Sequence, residues 1–519
     1  MPIKSLFFNK KILTVLLTIF FVFVLFLILG NSLTHEINRD QNQFVASGEQ
    51  LSQNGLLPYR DYPYFHPPLG VLIYGALFKF TNYPLLTATI FTAFCAWLAL
   101  IIIFYLSWQL LAGVKTKWRL VISISAVLLL MANPLFIFTT GRPWNHDLQI
   151  LLLLLALASY WQAIKKQSLK YLIAAGILLG LTLGTRLTLA PLAFLLALLH
   201  TPISSAIKKS KQFVWLSAGL LLGLIPSLPV IFLAPRQFFF GNFQHTAIST
   251  IYWQTQNYAT AMTWTGKFIF FLQEVLIKPG NLVIILTLTV ALFLLSISKR
   301  KNKQLPPDLN LLLLLVVLMI VGALVPTPTW YWYFYGPIPF IALLIITISA
   351  YLIKNHPQKT KLVLGSVVIV TLITTITAIP YYKKNLTILT QPNRWVPLQV
   401  HNFSQKLNSL ITTGPVLTLA PLFTLETGLA TYPEFTASPF AWRANALVPE
   451  NFGRQFKLVG PNNLDDFLKS RLPSAIITGF EDPKIEATMI EYAKKNNYQP
   501  NSLPDKITPY PLTVWLKTN

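Results

Sequence analysis

Two acids and a base stand together in "HEINRDQNQF", residues 35–44: Glu36, Arg39 and Asp40. They follow directly on an uncharged apolar run over 12–30, in a 519-residue chain that is only 11% charged. Asn38 can cap a helix whose first turn holds Asp40, with Phe44, Val45 and Leu51 on one side and "NG" at 54–55 as its end. The positive end of the helix dipole favours the ionised carboxylate there. At the lip of a membrane cavity, such a carboxylate can take the proton of an incoming hydroxyl. The plainer reading makes Asp40 a surface acid that complements the dipole. It makes His35 and Glu36 solvated neighbours of a membrane segment.

Other polar residues share this placement. In "GLLPYRDYPYFHPPLGVLIYGALFKF", 55–80, Arg60 and His66 are expected to meet a lipid phosphate. Tyr59, Tyr62, Tyr64 and Tyr74 are expected at headgroup level as an aromatic belt. "TTGRPWNHDLQI" brings Arg142, His146 and Asp147 to a turn between two spans, and "LGTRLTL" puts Arg186 between two short apolar runs. Charges at membrane depth are costly and mark functional positions or ion pairs. Asp147 is the natural pairing partner for Arg186. The rings of "PTPTWYWYFYGPIPF", 326–340, can stack on a sugar or anchor the interface. His35, His66, His146 and His245 are scattered over three loops without metal-ligand spacing, and a metal requirement stays open. HExxH, GxSxG, Walker A and GxGxxG are absent.

These residues need a membrane scaffold. Apolar residues make up 54% of the chain, and mean hydropathy is +0.56. About eleven spans are expected, near 12–30, 84–111, 119–138, 147–164, 170–184, 187–203, 213–233, 281–298, 309–326, 337–353 and 362–380. The first reads as a retained helix rather than a signal peptide. The net charge of +24 does not point to nucleic acid, because its lysines and arginines cluster in alternate loops. The clusters include Lys4, Lys10 and Lys11, then Lys115, Lys117 and Arg119, and later Lys299, Arg300, Lys301 and Lys303. By the positive-inside rule the N-terminus is cytoplasmic, and an odd span count leaves the C-terminus outside a plasma or inner membrane. The long first outer loop, 31–83, is expected to carry the Asp40 helix along the membrane surface. Cys95 is the single cysteine and reads as packing. The glycines of "AAGILLGLTLG" read as close helix packing. Residues 1–380 are thus expected to form a membrane domain and 381–519 a small extracytoplasmic α/β domain. In the latter, "GPVLTLAP" and "PSAIITGF" read as strands, and "NNLDDFLKSRL" and "EATMIEYAKKNN" as helices.

The order of these features resembles a family. A first span, an acid-led outer loop, "LLPYRDYPYFHPPLGVLIYGALFKF", a second outer acid and "AAGILLGLTLGTRLTL" are similar to the polyprenyl-phosphate-dependent glycosyltransferases of the membrane type C fold. The relatives are the protein O-mannosyltransferases and the aminoarabinose transferases of lipid A. The resemblance covers 35–200 and is closest over 40–112. It implies that Asp40 is the catalytic carboxylate, followed by Gln41 where many relatives have a second acid. It implies that Asp147 is the second acid of the family, that His66 stands for a lysine before Pro-Pro-Leu, and that Arg186 is the basic residue after the Gly-Leu motif.

The implied reaction is a single displacement at the anomeric carbon of a polyprenyl-phosphate sugar, with inversion. Asp40 would serve the acceptor hydroxyl, and Arg186, with His66 or Arg142, the departing phosphate. The acceptor would be a lipid, a glycan or a protein. The competing readings are a transporter or flippase of lipid-linked sugars, an oligosaccharide ligase or polymerase, and a non-catalytic assembly scaffold. Two related halves with broken helices would favour transport, and the sequence has no such symmetry.

Overall fold

The structure, a computed structural model, describes residues 10–201, 203, 207–258, 262–298, 307–411, 414–503, 507 and 510–517. Of the basic clusters, Lys4, Lys299, Arg300, Lys301 and Lys303 lie outside the described residues.

Seven helices are long and apolar enough to cross a membrane: Lys11–Ser32, Pro84–Leu110, His146–Lys166, Lys209–Leu233, Pro279–Ile297, Tyr331–Asn355 and Thr360–Thr390. Three further expected spans are shorter apolar helices, Leu169–Thr185, Ala190–His200 and Asp308–Leu324. The remaining one is interrupted. Helix Thr116–Met131 stops before Asn133–Pro134, and Asn133 caps a separate short helix, Pro134–Thr139, through the amides of Leu135 and Phe136. A proline has no amide for a helix interior but suits a first turn, so the chain restarts there.

Apolar side chains such as Ile19, Phe232, Phe293 and Ile376 remain exposed around the bundle, whereas the helix Ile338–Asn355 is almost wholly enclosed. Outer helices that bury little against protein have hydrocarbon as their solvent, and the molecule is a polytopic helical membrane protein. Helices Leu169–Thr185 and Lys209–Leu224 touch backbone to backbone at Gly176, Gly180, Gly219 and Gly223. A methyl group on Gly180 would sit 2.1 Å from the carbonyl of Leu220. The glycines of "AAGILLGLTLG" thus set a close crossing, as expected.

Asn38 and Gln41 form a reciprocal cap at the start of helix Arg39–Asn54, and Gly55, at φ 66°, ends it in the left-handed conformation. Residues 41–50 of this helix are all buried, so it is enclosed by protein on both sides. One side packs so closely on helix Leu69–Phe78 that a methyl on Gly48 would meet Tyr74 at 2.6 Å. The other side is covered by the C-terminal segment. Asn42 bonds Leu419 and Leu422, Gln50 bonds Thr436, and Gln53 bonds Leu425. The tyrosine belt is corrected for the same reason. Tyr59, Tyr62, Tyr64 and Tyr74 are buried with Phe44 in one aromatic core under this cover.

The C-terminal segment carries a four-stranded sheet of order β1-β2-β4-β3: β1 Val416–Thr418, β2 Ala475–Thr478, β3 Tyr498–Leu503 and β4 Leu512–Lys517. The β1–β2 pair is parallel and the other two are antiparallel. β1 and β2 are the two expected strands, each wholly buried. Helix Thr360–Leu386 runs past the expected boundary at 380.

Candidate active site

A cavity of about 500 Å³ opens between the bundle and the C-terminal segment. Asp40, His66 and Arg186 line it, together with Arg39, Asn145, His146, Asn242, His245, Tyr252 and Arg443. Each arrives by a local device. Asp40 stands in the first turn of the capped helix, and Trp144 steadies the cap by donating to Asn38 at 3.3 Å. Arg186 ends helix Leu169–Thr185 in extended conformation. Its guanidinium lies 3.2 Å from Asn145 Oδ1 and 2.6 Å from His146 Nε2, over the ring of Tyr333. The ion pair with Asp147, the alternative reading of Arg186, is not formed among the described residues. Its neighbours are an amide, an imidazole and a π-face, and none of them is an anion that would neutralise the guanidinium.

Burial pushes the Asp40 carboxyl up to about 6, against the pull of Arg186, Arg39, a hydrogen bond from Gln43, and Arg443. The base candidate is thus ionised at neutral pH with a proton affinity suited to proton transfer. His66 stacks on Phe44, with ring centroids 4.8 Å apart. Burial, Arg186 and His245 hold its imidazole down to about 3, so it is a neutral hydrogen-bonding group rather than a cation.

The other sequence candidates stand apart. Asp147 is buried beside the cavity wall, where it accepts from the amide of Gly141 at 2.8 Å and from Tyr335 at 3.1 Å. It orders the 139–147 turn that presents Asn145 and His146. Arg142 donates to the carbonyls of Phe138 and Glu36 and lines a different, largely apolar groove. Arg60 is on the surface, bound to its neighbour Asp61 at 2.7 Å, and does not reach the cavity. Among the described residues, no group of three or more His, Cys, Asp or Glu side chains could hold a metal ion.

Sequence reasoning missed two contributors. One is the 234–255 segment, where a π-helical turn, Phe240–Gln244, brings Asn242 and His245 to the cavity. Gly241 allows it, since a methyl there would lie 2.0 Å from the carbonyl of Tyr64. The other is the C-terminal segment, which supplies Arg443. Its guanidinium lies over the rings of Tyr252 and Trp253 and binds Glu481 at 2.8 Å. A stacked pair of rings, Trp330 and Trp332, completes an aromatic wall.

Helical bundle, capped loop helix and C-terminal sheet together have the type C glycosyltransferase fold. The chain is similar to ArnT from Cupriavidus metallidurans bound to undecaprenyl phosphate, with a TM-score of 0.61 over 96% of this chain and 97% of that one, at 11% identity. The apo state of ArnT gives 0.60 over 96% and 98%, also at 11% identity. An oligosaccharyltransferase from Archaeoglobus fulgidus gives 0.49 over 92% and 71%, at 12% identity. No protein-family profile and no curated protein sequence matches the chain.

Proposed function

We propose that the protein transfers a glycosyl group from a polyprenyl-phosphate-linked sugar to an acceptor hydroxyl, with inversion, at the outer face of the membrane. The observation that carries this reading is one cavity lined by a carboxylate, Asp40, and by a cation, Arg186, which among the described residues is met by an amide and an imidazole and by no carboxylate. ArnT, whose fold the chain shares, was solved with undecaprenyl phosphate bound.

In this mechanism Arg186 receives the donor phosphate, with His66 donating a neutral hydrogen bond. The Trp330–Trp332 pair offers the sugar an aromatic face. The acceptor oxygen attacks the anomeric carbon as the carbon–oxygen bond to phosphate breaks. Asp40 takes the hydroxyl proton, and the phosphate leaves with the bonding pair. Asp147 acts through the turn it holds. In this reading 381–519 is a domain on the outer face that closes the cavity.

The test is to incubate the purified protein with polyprenyl-phosphate sugars and follow donor consumption and transfer of the label. Bound donor that is never consumed would favour a transporter or flippase instead.

A further inference from the structure

Glu481 has no exposed surface and does not line the cavity, yet it organises two groups that do. One oxygen accepts from Arg39 Nε at 2.5 Å and the other from Arg443 Nη2 at 2.8 Å. A buried carboxylate between two guanidiniums is compensated on both sides, and its geometry is fixed by charge-assisted bonds. The loop that carries it is equally constrained. Gly479, at φ 111°, follows β2, and a methyl on it would lie 2.3 Å from the carbonyl of Pro511. Glu486, on helix Pro483–Lys495, accepts from the amides of Gly479 and Glu481. The C-terminal end of β2 is thereby aimed at Arg39, the residue next to Asp40.

The two arginines have different freedom. Arg39 is half exposed, and among the described residues its side chain pairs with Glu481 alone. Arg443 is buried against Tyr252 and Trp253.

We propose that Glu481 is a positioning residue of this site, holding Arg39 and Arg443 around Asp40, so that the C-terminal segment completes the catalytic centre. This rests on the glycosyl-transfer reading. Glu481 touches neither donor nor acceptor and acts through its two partners.

The experiment compares wild type, Glu481→Gln, Arg39→Gln and the double variant in sugar transfer across pH. Glutamine keeps the shape but removes the negative charge that offsets the two cations. Turnover should fall on the order of 10–10²-fold, with donor KM nearly unchanged. The acid limb should move to lower pH, because Asp40 then faces more uncompensated positive charge. The double variant should be no worse than the poorer single one, as expected for residues acting as a unit. A lower amplitude with an unmoved limb, or additive losses, would overturn the proposal. Should Glu481→Gln fail to fold, Arg39→Gln, at a half-exposed position, must show the turnover loss by itself; wild-type turnover in it would equally overturn the proposal. Absence of transfer by wild type would count against the glycosyl-transfer reading instead.

Discussion

Asp40 and Arg186 face one cavity from different elements, and Arg186 is the strongest of the charges that oppose the effect of burial on the Asp40 carboxyl. Neither contacts an opposite charge directly within the described hydrogen bonds: Asp40 is met by Gln43 at 3.4 Å, and Arg186 by Asn145 and His146. The two charges share one cavity and influence one another without being paired.

Asp40→Asn should lower turnover by about 10²–10⁴ while donor binding is kept. In wild type, turnover should fall as pH drops through about 6. The stability effect has the opposite sense. The folded-state value lies above the unfolded one of about 3.9, so the folded state binds the proton more tightly. The stability from this group is full below the unfolded value and is lost as pH rises through about 6. At pH 8 the asparagine variant should therefore be the more stable, on the order of 1–3 kcal/mol, in thermal or denaturant unfolding. Near wild-type transfer by this variant would remove the catalytic role.

Arg186→Lys should retain more donor affinity than Arg186→Ala, but less than wild type. A lysine keeps the charge, yet it cannot span Asn145, His146 and the Tyr333 face as the planar guanidinium does. Donor saturation curves check the order. Identical curves for wild type and Arg186→Ala would exclude a phosphate contact.

Glu49 supplies a test independent of transfer. It is fully buried on the Asp40 helix, and neither of its carboxylate oxygens has a hydrogen-bond partner among the described residues. Burial, and then the neighbouring Glu426, hold its carboxyl well above the usual carboxylate range. Its stabilising contribution is present at low pH and lost as pH rises through the raised value. Glu49→Gln, neutral and of the same shape, should flatten the alkaline decline in unfolding stability. An unchanged pH profile would show that Glu49 carries no such proton.

Orientation can be read from thiol labelling, because the single native cysteine, Cys95, is buried. A cysteine replacing the exposed Lys469 should react with a membrane-impermeant maleimide on intact cells. One replacing the exposed Lys117 should react only after permeabilisation. The reverse pattern would invert the topology and move the cavity to the cytoplasmic side.

What the sequence revealed follows from locality. The Asn38 cap and the Gly55 stop are encoded within a few residues, so the helix bearing Asp40 is readable at both ends. β1 and β2 are short apolar runs between Gly and Pro and are equally plain. β3 was not, because it is an edge strand with Pro500 and exposed side chains, "YQPNSL", which carry little strand signal. The tyrosines of 59–74 read locally as interfacial because the residues that cover them lie hundreds of positions away in the chain. Arg443 and Glu481 were invisible for the same reason. The one usable clue was Glu481 just past the C-terminal end of "AIIT", the end of a parallel-paired strand where α/β folds place ligand-binding groups.

The buried polar face of helix Arg39–Asn54 has a consequence for biosynthesis. Its partners lie very late in the chain, with Asn42 and Leu419 separated by 377 residues and Gln50 and Thr436 by 386. The helix is made early and must wait, its amides hydrated, while every later span is inserted. Contacts of such long separation form slowly, and the waiting surface is open to wrong pairing and to proteolysis. A nascent or C-terminally shortened chain therefore lacks the part of the cavity wall that Phe440, Arg443 and Phe480 supply.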